Sequence, residues 1–283
     1  MGNKIRLLAS GIMLMATGLF LLIFELQPVY KHACADVEMI RNRFFEEQHV
    51  IHAGGFVVNK NGEKIAYTNS YDALVNMYEK GNKICEFDIR EAADGVLICA
   101  HGDGNWLANG LELTREATSE EFLHEKSFGE FQTMTVQMLA DFMREHTDLL
   151  VVTDVKGDNI NTCRAIAKEY PDLLKQFVIQ IYHREEYEGV AKCGFPYIIF
   201  TVYNATEEER NLWKLADFAQ EHELVGYTFP ANYYDINNYK HVLAMKRIGI
   251  PIMFHTINDY QTMGDYLSYG FVAAIYTDQV EFR

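Results

Sequence analysis

Short apolar segments alternate with longer amphipathic segments along most of this chain, and this alternation limits the folds it can adopt. Eight apolar segments have the length and composition of buried strands. Alternating strands and helices are typical of parallel strands joined by crossover helices, and eight repeats predict an α/β fold, the (β/α)8 or TIM barrel. The predicted strands are Val50–His52, Ile84–Asp88, Leu149–Val155, Phe177–Ile181, Tyr197–Val202, Leu224–Phe229, Pro251–His255 and Phe271–Tyr276. The predicted crossover helices are Ser70–Lys80, Thr135–His146, Ile160–Tyr170, Glu185–Lys192, Glu207–His222, Ile236–Ile248 and Tyr260–Tyr269.

Two segments depart from this repeat. After the second strand, the turn residues Ala93-Asp94-Gly95 predict a hairpin with Val96–Ala100 as its returning arm. The polar segment Gly102–Gln132 follows as a small insertion, either a substrate-facing lid or a plain surface loop. No helical segment follows the eighth strand, so we expect the amphipathic helix Asp36–Gln48 to fill that gap and close the ring.

The amino-terminal segment Leu7–Phe24 is apolar and contains no charged side chain. It is just long enough to cross a bilayer as a helix, and the basic residues before it place the rest of the chain outside the cytoplasm. A cleaved signal peptide is the alternative, but the small residues Ala33-Cys34-Ala35 lie far beyond the apolar run. We therefore predict a single-pass membrane anchor in residues 1–30 and an extracytoplasmic barrel in residues 31–283.

The composition restricts the partners of the chain. Its 283 residues carry a formal net charge of -15, so we expect no nucleic-acid partner, which would require a basic surface. An anionic substrate would have to be met by a metal ion or a lysine. The five cysteines follow no disulfide or zinc-site spacing. Cys85 and Cys99 lie on the two arms of the hairpin, where a disulfide or two core thiols would fit.

Acidic side chains near two predicted strand ends indicate a metal site. Glu86 and Asp88 are two residues apart, which places both carboxylates on one face of a strand. Asp154 occupies a similar position on the next barrel strand, and the carboxyl ends of barrel strands meet at one mouth. A single carboxylate there more often caps a helix, but three together favour a hard-oxygen site for Mg²⁺ or Ca²⁺.

Histidines and a lysine lie near the same strand ends. His52 ends the first strand and His101 ends the hairpin arm, and the two could serve as an acid–base pair. Lys156 could hold a phosphate oxygen or pair with Asp154, and the two roles are compatible. His255 ends the seventh strand and is a further candidate for the pocket. This set suits metal-assisted phosphate-ester chemistry.

In their order and spacing these motifs resemble the glycerophosphodiester phosphodiesterase family, a group of phospholipase-C-like phosphodiesterases. The resembling motifs are His52, Glu86-Phe87-Asp88, Ala93-Asp94-Gly95, His101, Asp154-Val155-Lys156, Thr256-Ile257-Asn258 and Thr277-Asp278. The resemblance implies a TIM barrel that cleaves a phosphodiester with one divalent cation, Ca²⁺ or Mg²⁺, on the three carboxylates. It also implies that the two histidines act as acid and base and that Lys156 steadies the phosphate.

The chain departs from the family pattern at three positions. Ala53 replaces the arginine that usually follows the first histidine, and Gly102 replaces the aspartate that usually follows the second. Asp154 stands where the family commonly has glutamate, and in this it is similar to the related sphingomyelinase-D-like branch, which has aspartate. Without an arginine fork, phosphate recognition falls to the metal, to Lys156 and to backbone amides at Gly54-Gly55.

Three functions stay open on the sequence. The first is an anchored, outward-facing phosphodiesterase that acts on a small-molecule phosphodiester. The second is a sphingomyelinase-D-like or phospholipase-like enzyme that cleaves a lipid headgroup, which Asp154 and the anchor favour. The third is a non-catalytic member that binds a phosphate ligand, which the missing arginine favours.

Overall fold

The structure is a computed structural model that describes residues 33–102, 109–113, 117–234 and 236–281. In these residues eight parallel strands pair in succession, and the first strand pairs with both the eighth and the second, so the sheet closes into a barrel. The predicted α/β barrel is therefore confirmed. The barrel strands are β1 (His49–Ile51), β2 (Ile84–Glu91), β3 (Leu150–Val155), β4 (Phe177–Ile181), β5 (Ile198–Thr201), β6 (Gly226–Pro230), β7 (Ile252–His255) and β8 (Val272–Thr277).

Helices connect successive barrel strands, and most begin at a side-chain cap. The helices are α1 (Ala35–Glu47), α2 (Tyr71–Glu79), α3 (Ser119–His124), α4 (Val136–Glu145), α5 (Asn159–Glu169), α6 (Glu186–Lys192), α7 (Leu212–Glu221), α8 (Tyr239–Arg247) and α9 (Tyr260–Leu267). Ser70, Thr135, Asp158 and Asp259 each accept a hydrogen bond from a backbone amide in the first turn of the helix that follows. All seven predicted crossover helices are present.

The predicted hairpin after β2 is also present. The short strand Leu97–Cys99 runs antiparallel to β2, and a further strand, Met134–Thr135, pairs with its other edge. The register places Cys99 opposite Ile89 rather than opposite Cys85, and both thiols are free and buried. Cys85 and Cys99 are therefore core residues, and the disulfide alternative is wrong.

Two predicted segments lie wholly or partly outside the described residues. The predicted anchor Leu7–Phe24 lies wholly outside them, as do residues 103–108 and 114–116 of the predicted insertion. The described part of the insertion contains α3, whose Thr118 cap and Glu121 form a capping box. Within the described ranges, every helix is too short or too polar to cross a membrane.

The helix α1 does not take the place of an eighth outer helix. Its buried residues Val37, Ile40 and Phe44 pack against the inward-facing side chains at the amino ends of the strands. Arg41 donates to the carbonyl oxygen of Leu224, before β6, at 2.6 Å and 3.1 Å. Asp36 pairs at 2.7 Å with Lys175, which lies before β4. The helix therefore covers the amino ends of the strands, called the floor below, because one apolar face closes the open bottom of the barrel.

Two apolar layers enclose the barrel strands. The side chains of Val152 and Ile199 belong to the interior cluster that α1 completes. Their chain neighbours Val151 and Ile198 face the surrounding helices. The strands are thus buried on both faces, as expected for a parallel barrel, and polar side chains are concentrated at the carboxyl ends, called the mouth below.

Candidate active site at the barrel mouth

The three predicted metal ligands come together at the mouth. Asp88 on β2 lies directly opposite Asp154 on β3 in the parallel register, and Glu86 is one pleat earlier on β2. One carboxylate oxygen from each of these residues lies within 4.8 Å of the other two. Glu86 and Asp88 are almost completely buried. Strand register thus places all three acidic groups around one point.

Neighbouring groups orient the two carboxylates of β2. The amide of Ala53 donates to Oε2 of Glu86 at 3.0 Å, and the side-chain amide of Asn69 donates to Oδ2 of Asp88 at 2.7 Å. Asn69 also accepts from the backbone amide of Asp88 at 3.0 Å. Burial and the charges of Asp88 and Asp154 raise the pKa of Glu86 to about 8, although His52 opposes this change. The sequence does not predict Asn69, because it lies in the loop before α2 and carries no motif.

The ammonium group of Lys156 bridges two of the carboxylates. Its Nζ lies 2.9 Å from Oδ1 of Asp88 and 2.8 Å from Oδ2 of Asp154. Burial lowers the pKa of Lys156, but the charges of Asp88 and Asp154 outweigh burial and raise that pKa. The predicted pairing with Asp154 is confirmed.

Two tyrosines that the sequence does not single out contact Asp154. The hydroxyl of Tyr182 donates to Oδ1 of Asp154 at 2.5 Å, and the hydroxyl of Tyr203 lies 3.0 Å from the same oxygen. Tyr182 also accepts from the backbone amide of Val155 at 2.6 Å. Each tyrosine follows a barrel strand by one or two residues, which is the signal that could have identified them.

His52 is held by a carboxylate from the opposite end of the chain. Its Nδ1 lies 2.8 Å from Oδ1 of Asp278, and its Nε2 lies 3.9 Å from Oε2 of Glu86. Asn258 donates to the other oxygen of Asp278 at 2.6 Å. Burial lowers the pKa of His52, but the hydrogen bond with Asp278 and the nearby carboxylates outweigh burial and raise the pKa to about 9. The sequence shows the Thr277-Asp278 motif but not its contact with His52.

His101 lies in a different electrostatic environment. Its backbone amide donates to the side-chain oxygen of Asn109 at 2.8 Å, and Asn109 donates to the carbonyl oxygen of Tyr67 at 2.9 Å. The Tyr67 ring lies between the two predicted catalytic histidines, with centroids 4.8 Å from His52 and 5.0 Å from His101. Burial lowers the pKa of His101, although the charge of Asp88 opposes this change. The two histidines therefore favour opposite protonation states near neutral pH.

Gly54 and Gly55 form the tight turn after β1. Both have positive φ angles, +77° and +79°. A Cβ atom on Gly54 would lie 2.9 Å from the Cβ of Ala73, and one on Gly55 would lie 2.8 Å from a methyl group of Ile51. The amide of Gly55 donates to the carbonyl oxygen of His52 at 2.7 Å, so it is not available for phosphate. The predicted phosphate contact is therefore wrong for the amide of Gly55, and close packing accounts for both glycines.

Two cavities adjoin the carboxylates. The larger, about 540 Å³, is lined by groups that include His101, Lys156 and Tyr203. The smaller, about 30 Å³, lies inside the barrel and is lined by Glu86, Asp154, Tyr203 and His255 among others. Tyr203 lines both. A third cavity of about 650 Å³ lies beside α9, and none of the predicted site residues lines it.

The charges in this site fit one divalent cation. The opposite charges of His52 and Asp278 form one pair, and Lys156 balances one of the three clustered carboxylates. When all three carboxylates are ionised, two negative charges remain among these contacting groups in largely buried surroundings, and the raised pKa of Glu86 reflects this crowding of negative charge. Uncompensated buried charges are costly, so Glu86, Asp88 and Asp154 suit a bound cation of charge two.

Structural comparison identifies the fold, whereas sequence comparison finds no match. No protein-family profile matches the sequence, and no curated protein matches it. Similar solved structures include a glycerophosphoryl diester phosphodiesterase from Parabacteroides distasonis, with 15% identity, a TM-score of 0.62, and coverage of 87% of this chain and 89% of that chain. The glycerophosphodiester phosphodiesterase from Thermotoga maritima has 16% identity, a TM-score of 0.61, and coverage of 83% and 95%.

A third similar structure is a phosphodiesterase from Oleispira antarctica in complex with the product sn-glycerol-3-phosphate. It has 16% identity, a TM-score of 0.62, and coverage of 85% of this chain and 96% of that chain. The family that the sequence motifs resemble is thus the family whose structures this barrel matches. The chain has the fold of the glycerophosphodiester phosphodiesterases.

Proposed function

We propose that this chain is a metal-dependent phosphodiesterase that hydrolyses a glycerophosphodiester-like small molecule at the barrel mouth. One observation carries the proposal: three carboxylates converge within 4.8 Å at the mouth, and His52 and Lys156 contact them. The product bound to the Oleispira antarctica phosphodiesterase supports a substrate of this class.

The proposed cation is held by Glu86, Asp88 and Asp154. When bound, it would polarise a phosphoryl oxygen and neutralise the charge that develops during hydrolysis. Oxygen ligands alone would favour Mg²⁺ or Ca²⁺. Lys156 lies beside the carboxylates and lines the larger cavity, so its ammonium can contact a second phosphoryl oxygen.

The two histidines supply the proton transfers. Asp278 binds Nδ1 of His52 and leaves Nε2 on the side of Glu86, where it can give up a proton. His101 lines the larger cavity, and burial disfavours its protonated form. A pair with one protonated and one neutral member is what general acid–base hydrolysis requires. We infer that His52 is the acid and His101 the base in the first step.

The remaining predicted substrate contacts are Gly54, Gly55 and His255. Since the amide of Gly55 is engaged within its turn, Gly55 does not contact phosphate through that amide; it lets the turn pack closely against Ile51 and Val280. His255 lines the smaller cavity rather than the larger one. Phosphate recognition therefore depends mainly on Lys156 and the cation. Together they would compensate for Ala53, which stands where the resembled family usually has an arginine after the first histidine.

We also propose that residues 1–30 anchor the chain and that the barrel lies outside the cytoplasm. The apolar run Leu7–Phe24 and the basic residues before it support this location. The described chain enters the barrel through α1, which covers the floor, opposite the mouth. An anchor before α1 then favours a mouth directed away from the bilayer. That geometry favours a soluble phosphodiester over the headgroup of a lipid in the same membrane.

The test is hydrolysis by the full-length chain in detergent. The substrates are bis-(p-nitrophenyl) phosphate, glycerophosphocholine and intact sphingomyelin or phosphatidylcholine, each with Ca²⁺, with Mg²⁺ and with chelator. We expect metal-dependent turnover of the small diesters that falls at least a hundredfold in Glu86→Gln. The exposed Glu63→Gln is the matched control and should retain full activity.

Three other outcomes would contradict this proposal in distinct ways. Turnover of the intact lipids alone would favour the lipid-headgroup enzyme. Metal binding without turnover of any diester would favour a phosphate-binding protein. Full turnover in the presence of chelator would show that the three carboxylates serve another purpose.

A further inference from the structure

We propose that Tyr67 and Asn109 are positioning residues that hold His101, the proposed base, in place beside His52, the proposed acid. This inference rests on the proposed function, because it concerns the step in which His101 accepts a proton. The sequence motifs contain neither residue. Tyr67 lies in the loop before α2, and Asn109 lies in the insertion that follows the hairpin.

The imidazole of His101 is not oriented in the way that the imidazole of His52 is. Asp278 binds Nδ1 of His52, whereas Nδ1 of His101 is buried and has no hydrogen-bond partner among the described residues. A functional histidine ring is commonly fixed by a hydrogen bond to its second nitrogen. In the described part of the chain, the position of His101 therefore depends on the contacts of its backbone and of its ring.

Asn109 supplies the backbone contact. Its side-chain oxygen accepts from the amide of His101 at 2.8 Å, and its side-chain nitrogen donates to the carbonyl oxygen of Tyr67 at 2.9 Å. Asn109 is completely buried, and the hydroxyl of Ser127 donates to its backbone carbonyl oxygen. Because buried hydrogen bonds are costly to lose, this amide group fixes the end of the hairpin arm against the loop that carries Tyr67.

The ring of Tyr67 supplies the second contact. Its centroid lies 5.0 Å from that of His101, with an angle of 60° between the ring planes, and 4.8 Å from that of His52. Both distances are typical of aromatic rings in contact. One rigid ring thus contacts the proposed acid and the proposed base together, and it limits how far either imidazole can move toward the other.

The loop that carries Tyr67 is itself held in a disfavoured conformation. Tyr67 has a φ of +66°, in the left-handed region, which is unusual for a large side chain. Asn69 has a φ of +52°, and both polar atoms of its side chain bond to Asp88. Such conformations persist where the surrounding contacts over-determine them, and they are concentrated at active sites. Asn109 and Asp88 therefore fix the Tyr67 ring relative to the carboxylates.

The experiment is a double-mutant cycle in the full-length chain, with initial rates measured on bis-(p-nitrophenyl) phosphate. We expect Tyr67→Leu and Asn109→Ala each to lower kcat about a hundredfold with little change in KM, because a displacement of about 1 Å can cost that much. Tyr67→Phe keeps the ring and should retain most of its kcat. In a His101→Gln background both substitutions should have almost no further effect, since a positioning residue then has no base to position.

Matched controls and a second measurement exclude a general structural effect. The exposed Tyr239→Leu and Asn42→Ala should retain full activity. The ring current of Tyr67 displaces the NMR resonances of the His52 and His101 ring protons, because both rings lie against it. In Asn109→Ala the His101 resonances should move, while those of His52, which Asp278 holds, stay in place. This measurement does not require turnover.

The outcomes separate this inference from the proposed function. Losses that add fully to that of His101→Gln, or His101 resonances that do not move in Asn109→Ala, would overturn the positioning role and leave the phosphodiesterase intact. A wild type that hydrolyses no diester would overturn the proposed function and this inference together. Should Tyr67→Leu or Asn109→Ala fail to fold, Tyr67→Met and Asn109→Asp take their places. Asn109→Asp keeps the acceptor for the His101 amide and removes the donor to Tyr67.

Discussion

Nδ1 of His52 lies 2.8 Å from Oδ1 of Asp278, although the two residues are 226 positions apart in the chain. They meet because β1 and β8 are neighbours in the closed barrel, with Ile51 opposite Thr277. The protonation of a proposed catalytic histidine thus depends on the pairing that closes the sheet.

Replacing Asp278 should change the pH dependence of hydrolysis. The pKa of His52 is raised to about 9 in the folded protein, so the acid form is present at neutral pH and is lost as the pH rises through that value. In Asp278→Asn the pKa of His52 should fall, and the alkaline limb of kcat should move down by about one pH unit or more. The acidic limb, which reflects protonation of His101, should stay in place below the ordinary histidine pKa of about 6.5.

The pH–rate profiles of the two proteins measure this shift. The exposed Asp265→Asn is a matched control, since Asp265 bonds to Gln261 on α9 and lines the cavity beside that helix instead of the mouth. An unchanged alkaline limb in Asp278→Asn would show that His52 is not the group that titrates there.

Removal of Lys156 should tighten metal binding while it slows hydrolysis. The ammonium lies 2.9 Å and 2.8 Å from oxygens of Asp88 and Asp154, so it competes with a divalent ion for the same carboxylates. In Lys156→Met we expect the affinity for a divalent ion to rise about tenfold, equivalent to about 1.4 kcal/mol. The rate should fall about a hundredfold or more, because the phosphate loses a cationic contact.

Calorimetric titration and initial rates measure these opposite effects. Lys83→Met is the control: Lys83 pairs with Asp148 at 3.0 Å, away from the mouth, and its loss should change neither quantity. Weaker metal binding in Lys156→Met would show that the lysine supports the carboxylate cluster instead of competing for it.

Gly55→Ala should destabilise the protein, because the turn after β1 has no space for a methyl group. The new Cβ would overlap Val280 and approach Ile51, at a φ of +79°. Overpacking and the left-handed backbone together should lower the free energy of unfolding by about 3 kcal/mol. Gly62→Ala isolates the backbone effect, since Gly62 has a φ of +83° and no atom within 4 Å.

Chemical denaturation compares the two glycine variants. Gly62→Ala should cost about 1 kcal/mol. Equal losses for Gly55→Ala and Gly62→Ala would mean that the packing of Gly55 against Val280 and Ile51 is looser than the structure shows.

The floor helix should contribute to stability without taking part in hydrolysis. Phe44 on α1 is completely buried against the barrel interior. Phe44→Ala should lower the free energy of unfolding by about 4 kcal/mol, while the folded fraction keeps its kcat, because the floor is opposite the mouth. Met39→Ala on the exposed face of the same helix should change stability by less than about 0.5 kcal/mol. A lower kcat for fully folded Phe44→Ala protein would contradict the separation of floor and mouth.

Residue spacing along single strands explains why much of the candidate site can be predicted from the sequence. The side chains of a strand alternate between its two faces, so the two-residue spacing of Glu86 and Asp88 is enough to imply a shared face. Parallel barrels place all carboxyl strand ends at one mouth, which brings Asp154 and Lys156 into the same prediction. The structure brings these four residues into contact distance, as expected.

Contacts between distant loops cannot be predicted in the same way. Asn69 reaches Asp88 from a loop, and Tyr203 reaches Asp154 from the residue pair that follows β5. Each contact depends on the conformation that a loop adopts in the folded barrel. Residue spacing within a short segment does not predict that conformation. The expected place of α1 is wrong for a related reason. Its apolar face could pack against any apolar surface, and in the structure it packs against the interior cluster at the floor of the barrel.

The sequence by itself determined the alternation of strands and helices, the pairing of Glu86 with Asp88 on one strand face, and the order of the phosphodiesterase-like motifs. Those properties are local, because they follow from backbone periodicity and from residue chemistry within a few positions. Only the tertiary structure decided that Asp278 holds His52, that α1 covers the floor, and that His255 lines a small cavity together with Glu86 and Asp154. These contacts form when closure of the barrel brings distant strand ends together. Local sequence patterns cannot predict them, because the residues involved are far apart in the chain.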